Sequence, residues 1–155
     1  MKYLVYASLI LSGASFAQDA PLSAISAINA DKTLLTDITQ TSAGLIAVGK
    51  HGTVIKSVDG NNWQQAQSVP TQVLLTAVEF TNDSLGWACG HDATIINTTD
   101  GGENWQLQQA KPSLDKPCLD IYFKDDLHGY AVGAYGMFYQ TSDGGEHWQK
   151  RFLDS

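Results

Sequence analysis

The sequence repeats one cassette three times. The copies read IAVGKHGTVIKSVDGNNWQ at residues 46–64, WACGHDATIINTTDGGENWQ at residues 87–106 and YAVGAYGMFYQTSDGGEHWQ at residues 130–149. The tryptophans that close them, Trp63, Trp105 and Trp148, are 42 and 43 residues apart. A fixed period of roughly 40–50 residues with several short strands per unit is typical of propeller blades. A residue shared by all copies is therefore expected to hold the blade together, and a residue that differs at equivalent tips is the better functional candidate.

Each copy divides into four short apolar runs separated by turn residues, which predicts a four-stranded antiparallel meander. The predicted strands occupy residues 34–39, 45–49, 53–57 and 63–67, then 74–80, 87–90, 94–98 and 105–109, then 118–123, 130–133, 137–141 and 148–152. We expect an all-β fold of three β-propeller blades of about 42 residues, forming a partial propeller. The predicted domain covers residues 33–155, with blades at about 33–69, 70–112 and 113–155. The closing tryptophans are predicted to fill the wedge between blades.

The N-terminal residues have the pattern of a secretory signal peptide. Lys2 precedes a mostly apolar run at residues 3–12, which is too short to span a bilayer, and small residues stand at the −3 and −1 positions of residues 15–17. We expect a signal peptide over residues 1–17 and a leader in loop conformation over residues 18–32. The chain is therefore expected to be exported, periplasmic or secreted, with no membrane span after cleavage.

The charge of the chain argues against binding to polyanions. The formal net charge is −7 at pH 7, and the sequence contains no basic run. An acidic chain of this kind is not expected to bind nucleic acid or an anionic membrane surface.

The two cysteines leave two interpretations open. Export permits a disulfide between Cys89 and Cys118. However, Cys89 aligns with Val48 and Cys118 aligns with Leu75, and both positions are predicted to be in the core. Buried free thiols, which pack as small apolar groups, are the simpler interpretation.

The turn before each closing tryptophan fits the Asp-box pattern, S/T-x-D-x-G-x-x-W. Residues 98–105 and 141–148 fit it fully, whereas residues 57–63 are one residue shorter and carry Asn61 at the second glycine position. In such a turn the aspartate accepts backbone hydrogen bonds, glycine adopts a positive φ and the tryptophan anchors the loop. The predicted structural residues are Asp59, Trp63, Asp100, Gly102, Trp105, Asp143, Gly145 and Trp148. Because no EF-hand spacing accompanies the aspartates, no metal and no other cofactor are expected.

The sequence around these boxes resembles the photosystem II stability/assembly-factor-like family of Asp-box (BNR-repeat) β-propellers. The resemblance rests on G-W/Y-A-x-G at residues 86–90 and 129–133 together with the two complete Asp-boxes, and it extends over about residues 33–152. It implies an exported, non-enzymatic propeller of about seven blades, whose photosynthetic members hold a client protein. Two features depart from the family: only three blades are present, and Arg151 is the single arginine where an arginine-rich patch is expected.

Sialidases also carry Asp-boxes, so a glycan-binding or sialidase-like glycoside hydrolase module is the alternative. Resemblance to a sialidase demands three arginines that grip the substrate carboxylate and a tyrosine nucleophile paired with a glutamate. Arg151 alone does not meet the first requirement. We therefore expect no enzymatic activity.

The tips between the second and third strands differ in chemistry between the copies. They read Lys50-His51, His91-Asp92 and Ala134-Tyr135. In a propeller these tips share one face, opposite the Asp-box turns. We expect Lys50, His51, His91, Asp92 and Tyr135 to bind a protein partner there; the alternative is that they are ordinary exposed turns.

Three blades leave two inter-blade faces without a neighbour. Such apolar faces predict association. We expect either that the chain is the front piece of a longer propeller, which we favour, or that two copies self-associate through the open blade faces to complete six blades.

Overall fold

The computed structural model describes residues 22–24 and 30–152, and it is built from three four-stranded antiparallel sheets. The predicted signal peptide and most of the predicted leader lie outside the described residues. Blade 1 contains β1 (Leu35–Thr41), β2 (Gly44–Gly49), β3 (Val54–Ser57) and β4 (Gln64–Gln65). Blade 2 contains β5 (Leu75–Phe80), β6 (Gly86–Gly90), β7 (Thr94–Thr98) and β8 (Trp105–Gln109). Blade 3 contains β9 (Cys118–Phe123), β10 (Gly129–Gly133), β11 (Met137–Thr141) and β12 (Gln149–Lys150).

The sheets are meanders in which each strand pairs with the next one along the chain, so the all-β prediction of propeller blades is confirmed. The fourth strands of blades 1 and 3 are only two residues long, shorter than the predicted 63–67 and 148–152. They begin after Trp63 and Trp148, and they end two residues before the predicted ends. Within the described leader, Ala30–Lys32 forms a single 3₁₀ turn where a loop was expected. No helix in the described part of the chain has the length and hydropathy needed to cross a bilayer.

The hydrophobic core lies between the blades. One cluster joins blades 1 and 2, and its members include Val48, Val54, Leu75, Ile96 and Trp105. A second cluster joins blades 2 and 3, and its members include Trp87, Ile95, Ile121, Phe123 and Tyr139. Alternating residues of each strand supply these clusters because successive side chains of a strand point to opposite faces. Each blade is therefore stabilised by its neighbours.

The closing tryptophans occupy related but unequal positions. Trp105 is buried between blades 1 and 2, and Trp148 packs against the cluster between blades 2 and 3. Trp63 packs against Ala47 and Ile55, in a smaller cluster on the side of blade 1 that faces away from blade 2. A closing tryptophan can fill the wedge between blades only where another blade precedes its own. Blade 1 has no preceding blade among the residues that the structure describes, so Trp63 packs differently from Trp105 and Trp148.

The most buried tryptophan is one that the repeat did not single out. Trp87 is fully buried, and its ring stacks on Phe123 of blade 3 with centroids 3.5 Å apart and planes 8° apart. Its Nε1 donates a hydrogen bond to the Gly144 carbonyl, in the Asp-box turn of blade 3, at 2.9 Å. Trp87 therefore joins blade 2 to both the body and the turn of blade 3.

The inner strands β1, β5 and β9 contact one another in this order, and side-chain hydrogen bonds link them. Thr36 Oγ1 of β1 donates to the Leu75 carbonyl of β5 at 2.6 Å, and Thr76 Oγ1 of β5 donates to the Cys118 carbonyl of β9 at 2.7 Å. Leu119 follows Cys118 in blade 3, where the threonines stand in the first two blades, and it is exposed. The same residue type thus makes the same bond at both junctions.

The interpretation of the cysteines as free thiols is wrong, because Cys89 and Cys118 form a disulfide. Cys89 lies on β6 and Cys118 on β9, with their Cα atoms 5.8 Å apart. Both side chains are fully buried in the cluster between blades 2 and 3. The bond replaces the packing that Val48 and Leu75 provide between blades 1 and 2.

Candidate protein-binding face

The Asp-box carboxylates are occupied by their own turns. Asp59 Oδ1 accepts hydrogen bonds from the backbone N–H groups of Asn61 and Asn62 at 2.9 and 2.8 Å. Asp143 Oδ1 accepts from the His147 N–H at 3.0 Å and from Thr141 Oγ1 at 2.8 Å. A carboxylate that accepts several such bonds is held in its charged form. These groups act as turn-closing acceptors.

The same turn in blade 2 repeats this arrangement. Asp100 Oδ1 accepts from the Glu103 and Asn104 N–H groups at 3.1 and 2.9 Å, and Gly102 has a φ of 84° that favours glycine. Trp105 Nε1 donates to the Gly102 carbonyl at 3.0 Å. Gly145 of blade 3 likewise has a φ of 92°. Backbone geometry therefore accounts for the residue types of the boxes.

Hydrogen bonding lowers the pKa of these carboxyl groups. Hydrogen bonds from the His147 N–H, which is the largest influence, from Thr141 Oγ1 and from the His147 side chain together lower the pKa of Asp143 to about 2. Outside the Asp-boxes, hydrogen bonds from the Leu127 N–H, which is the largest influence, and from His128 lower the pKa of Asp125 to about 2. The pKa of Asp59 also lies below its usual range, chiefly because of the Asn62 N–H.

We expect the stability of the fold to fall as the pH is lowered through the range in which these carboxyl groups become protonated. The lowered pKa values contribute stability above about pH 4, where the unfolded carboxyls are ionised, and that contribution is lost as the pH falls towards 2. Urea midpoints measured from pH 5 to pH 2 should therefore decrease, and Asp143→Asn should flatten the decrease. Asp115→Asn makes the same charge change outside the Asp-boxes and serves as the control. An unchanged slope in Asp143→Asn would contradict this account.

One group of side chains in the described part of the chain has the residue types of a metal site. Ligand atoms of Asp143, Glu146 and His147 lie within 4.8 Å of one another. Asp143 Oδ2 and His147 Nδ1 already bond to each other at 2.7 Å, as parts of the Asp-box turn. The tip residues His51, His91 and Asp92 do not form such a group.

The predicted tip residues lie in short turns opposite the Asp-boxes. Lys50 and His51 belong to the 3₁₀ turn Lys50–Gly52, and His91 and Asp92 belong to the equivalent turn His91–Ala93. His51, Asp92 and Tyr135 have φ values of 59°, 59° and 56° in the left-handed region. The third residue of each 3₁₀ turn donates its N–H to the segment that leads to the next blade: Gly52 bonds to Val73, and Ala93 bonds to Lys116. This bond fixes the tip against the linker.

The structure brings three of the five predicted residues together. His91, Asp92 and Tyr135 line a depression between the tips of blades 2 and 3, which we call the tip depression. Its full lining is His91, Asp92, Leu114, Asp115, Lys116, Pro117, Ala134 and Tyr135. The side chain of Tyr135 is prominent, with 78% of the residue's surface exposed. Lys50 and His51 are exposed on the tip of blade 1, outside the tip depression.

The linker between blades 2 and 3 supplies the part of this surface that the sequence did not indicate. Its 3₁₀ turn Pro112–Leu114 is followed by Asp115, and Lys116 Nζ donates to the Tyr135 carbonyl at 3.0 Å. The sequence feature that could have indicated this contribution is the pair of Lys-Pro steps at residues 111–112 and 116–117, which restrict the linker backbone. A depression of mixed apolar and polar lining is suited to binding side chains of another molecule.

Three four-stranded meanders with Asp-box turns define the chain as an Asp-box β-propeller protein. The model of the family described as "Photosynthesis system II assembly factor YCF48" matches residues 55–117 and 107–155, which is more than half of the chain. The chain belongs to this family.

Curated relatives agree with this assignment. A segment of 49 residues is 45% identical to the Photosystem II assembly protein Ycf48 of Synechococcus sp. (strain JA-3-3Ab), and it covers 30% of this chain and 14% of that relative. A 52-residue segment is 35% identical to the protein of the same name from Thermosynechococcus vestitus, covering 34% of this chain and 15% of the relative.

Solved structures share the fold. A structure described as YCF48 bound to D1 peptide matches with a TM-score of 0.65 and 23% identity, over 75% of this chain and 39% of that chain. YCF48 from Cyanidioschyzon merolae matches with a TM-score of 0.63 and 24% identity, over 76% and 39%. An ancestral GH74 enzyme matches with a TM-score of 0.64 at 18% identity, over 78% of this chain and 18% of the enzyme. This chain spans less than half of each of these proteins.

Proposed function

We propose that the chain is an exported, non-catalytic scaffold that binds a protein partner on its tip face. The observation that carries the proposal is the tip depression, where Tyr135 and Leu114 present exposed apolar surface beside polar groups. Membership of the Ycf48 family supports it, since one solved relative is described as bound to D1 peptide. Tyrosine is enriched among residues that dominate binding energy.

The absence of catalysis is part of the same proposal. It is supported by the Asp-box carboxylates, which are engaged in closing their turns, and by the single arginine of the chain. Export is supported by the signal-like residues 1–17 and by the disulfide, because disulfides persist mainly in oxidising compartments.

The test is selection of random 12-residue peptides, displayed on phage, against the immobilised chain. We expect recovered peptides to lose about tenfold or more affinity for Tyr135→Ala, because truncating an anchoring tyrosine removes its packing. His91→Ala should weaken the same peptides. Val58→Ala is the matched control, since Val58 is an exposed apolar residue on the opposite, Asp-box side. Equal binding by all variants would contradict the tip-face site.

The glycan alternative is tested in parallel. A glycan array that binds the wild-type chain but not Tyr135→Ala or His91→Ala would favour a glycan-binding module. Turnover of sialoside or other glycoside substrates would overturn the non-catalytic proposal.

We also propose that copies associate through their open blade faces. The side of blade 3 that faces away from blade 2 exposes Tyr122 and Val132, and beside them the rings of Tyr130 and Phe138 lie 6.2 Å apart. In blade 2 the residue equivalent to Tyr130 is Trp87, which is covered by the next blade. Sedimentation velocity should show mass increasing with concentration, and less so in Tyr122→Glu. A monomer at all concentrations would reject this.

A further inference from the structure

We infer that the partner presents an acidic side chain to a lysine-lined cleft between blades 2 and 3; this rests on the proposed function and specifies its partner. The cleft is lined by Ala93, Leu114, Lys116, Met137, Tyr139 and Lys150, and its volume is about 160 Å³. It adjoins the tip depression, with which it shares Leu114 and Lys116. This volume accommodates a side chain, not a folded segment.

Three lysines line this cleft or contact its wall. Lys116 and Lys150 line it directly. Lys111 Nζ lies 3.3 Å from the Tyr139 hydroxyl and 4.6 Å from the centroid of the same ring, and Tyr139 forms one wall. Because the Tyr139 hydroxyl accepts from Lys111, its own proton is left to donate to a ligand.

None of these lysines is neutralised by a carboxylate among the described residues. Among the described residues, the lysine that forms an ion pair with a carboxylate is Lys56, which pairs with Glu103. Lys116 instead donates to a backbone carbonyl, and Lys150 Nζ lies 4.8 Å from the centre of the Phe152 ring. No carboxylate lines the cleft, whereas Asp92 and Asp115 line the adjoining tip depression.

This concentration of positive charge contrasts with the chain as a whole, whose net charge is −7. Charge complementarity therefore favours a carboxylate in the cleft, and repulsion from the rest of the surface limits where an acidic partner can dock. The exposed Leu114, which lines the cleft, and Tyr135 in the adjoining tip depression would contact apolar residues that flank the acidic one. The ligand class is thus an extended acidic peptide with adjacent apolar side chains.

The experiment uses the peptides selected on the chain and, for the most enriched one, a version in which Asp and Glu become Asn and Gln. We expect acidic residues to be enriched over the unselected library. The amide version and the triple variant Lys111→Glu, Lys116→Glu, Lys150→Glu should each reduce affinity by about tenfold or more. Affinity for the wild type should also fall as NaCl is raised from 50 to 500 mM.

Controls separate charge from misfolding and from the parent proposal. Lys124→Glu, on the opposite side of blade 3, changes one charge without altering the cleft and should bind normally. Lys150→Gln, in an exposed position, tests the cleft without reversing charge. Peptides without acidic enrichment, or affinity unaffected by the amide version, the lysine variants and salt, would overturn the inference and leave the scaffold proposal intact. Recovery of no binding peptide would overturn both.

Discussion

Replacing Trp87 with alanine is expected to lower the free energy of unfolding by about 3–5 kcal/mol. The residue is fully buried, stacks on Phe123 and donates to the Gly144 carbonyl, so truncation leaves a cavity at the junction of two blades. Urea denaturation followed by circular dichroism measures the loss.

Two further tryptophan variants make this result specific. Trp87→Phe keeps an aromatic ring against Phe123, and the Gly144 carbonyl still accepts from Gln108 Nε2, so we expect a loss of about 1–2 kcal/mol. Trp63→Ala removes a half-buried ring from the side of blade 1 that faces away from blade 2 and should cost less than Trp87→Ala. Equal losses for Trp87→Ala and Trp63→Ala would show that the junction has no special importance.

Removing the Cys89–Cys118 disulfide is expected to cost about 3–4 kcal/mol. The bond joins residues 29 positions apart, and its removal frees this loop in the unfolded chain. The double variant Cys89→Ala, Cys118→Ala should therefore have a lower urea midpoint than the oxidised wild type. Reductant should lower the midpoint of the wild type and leave that of the double variant unchanged.

The repeat itself supplies the matched control for this second prediction. Val48 and Leu75 pack at the first blade junction, in the positions that Cys89 and Cys118 occupy at the second. The variant Cys89→Val, Cys118→Leu should recover part of the stability through packing, without sensitivity to reductant. Identical midpoints of the wild type with and without reductant would contradict a stabilising disulfide.

The blades could be predicted from the sequence because their determinants are local. Alternation sets the strands and the Asp-Gly steps set the turns, so β7 (Thr94–Thr98) and β11 (Met137–Thr141) have the predicted bounds. The predicted fourth strands of blades 1 and 3 are too long at both ends, because Trp63 and Trp148 precede the paired residues and pairing stops at Gln65 and Lys150.

The disulfide could not be found by comparing copies position by position. That comparison asks whether Cys89 resembles Val48, and it does, since both are buried. The bond instead joins two different positions of successive blades. The structure shows that Val48 and Leu75 belong to one cluster between blades 1 and 2, and therefore that the positions of Cys89 and Cys118 face each other between blades 2 and 3.

Only part of the candidate site could be predicted, because the repeat indicates the tips of the blades but not the linker between them. The tips were expected to share a face because they are equivalent in every copy, and His91, Asp92 and Tyr135 do line one depression. The contribution of Leu114 and Lys116 depends on how the linker folds back between blades, and its 3₁₀ turn and left-handed Asp115 have no counterpart in a strand pattern.

The threonine bonds between inner strands give the molecule a polarity. Thr36 and Thr76 each donate to a carbonyl of the following blade, so one side of a blade offers hydroxyl donors and the other offers acceptors. The two open sides of the chain therefore differ, and copies that join them would do so head to tail. Because Leu119 stands at the threonine position of blade 3, such a contact would lack the hydroxyl bond. A heterologous contact of this kind closes into a ring where the rotation between members permits and otherwise grows as a filament.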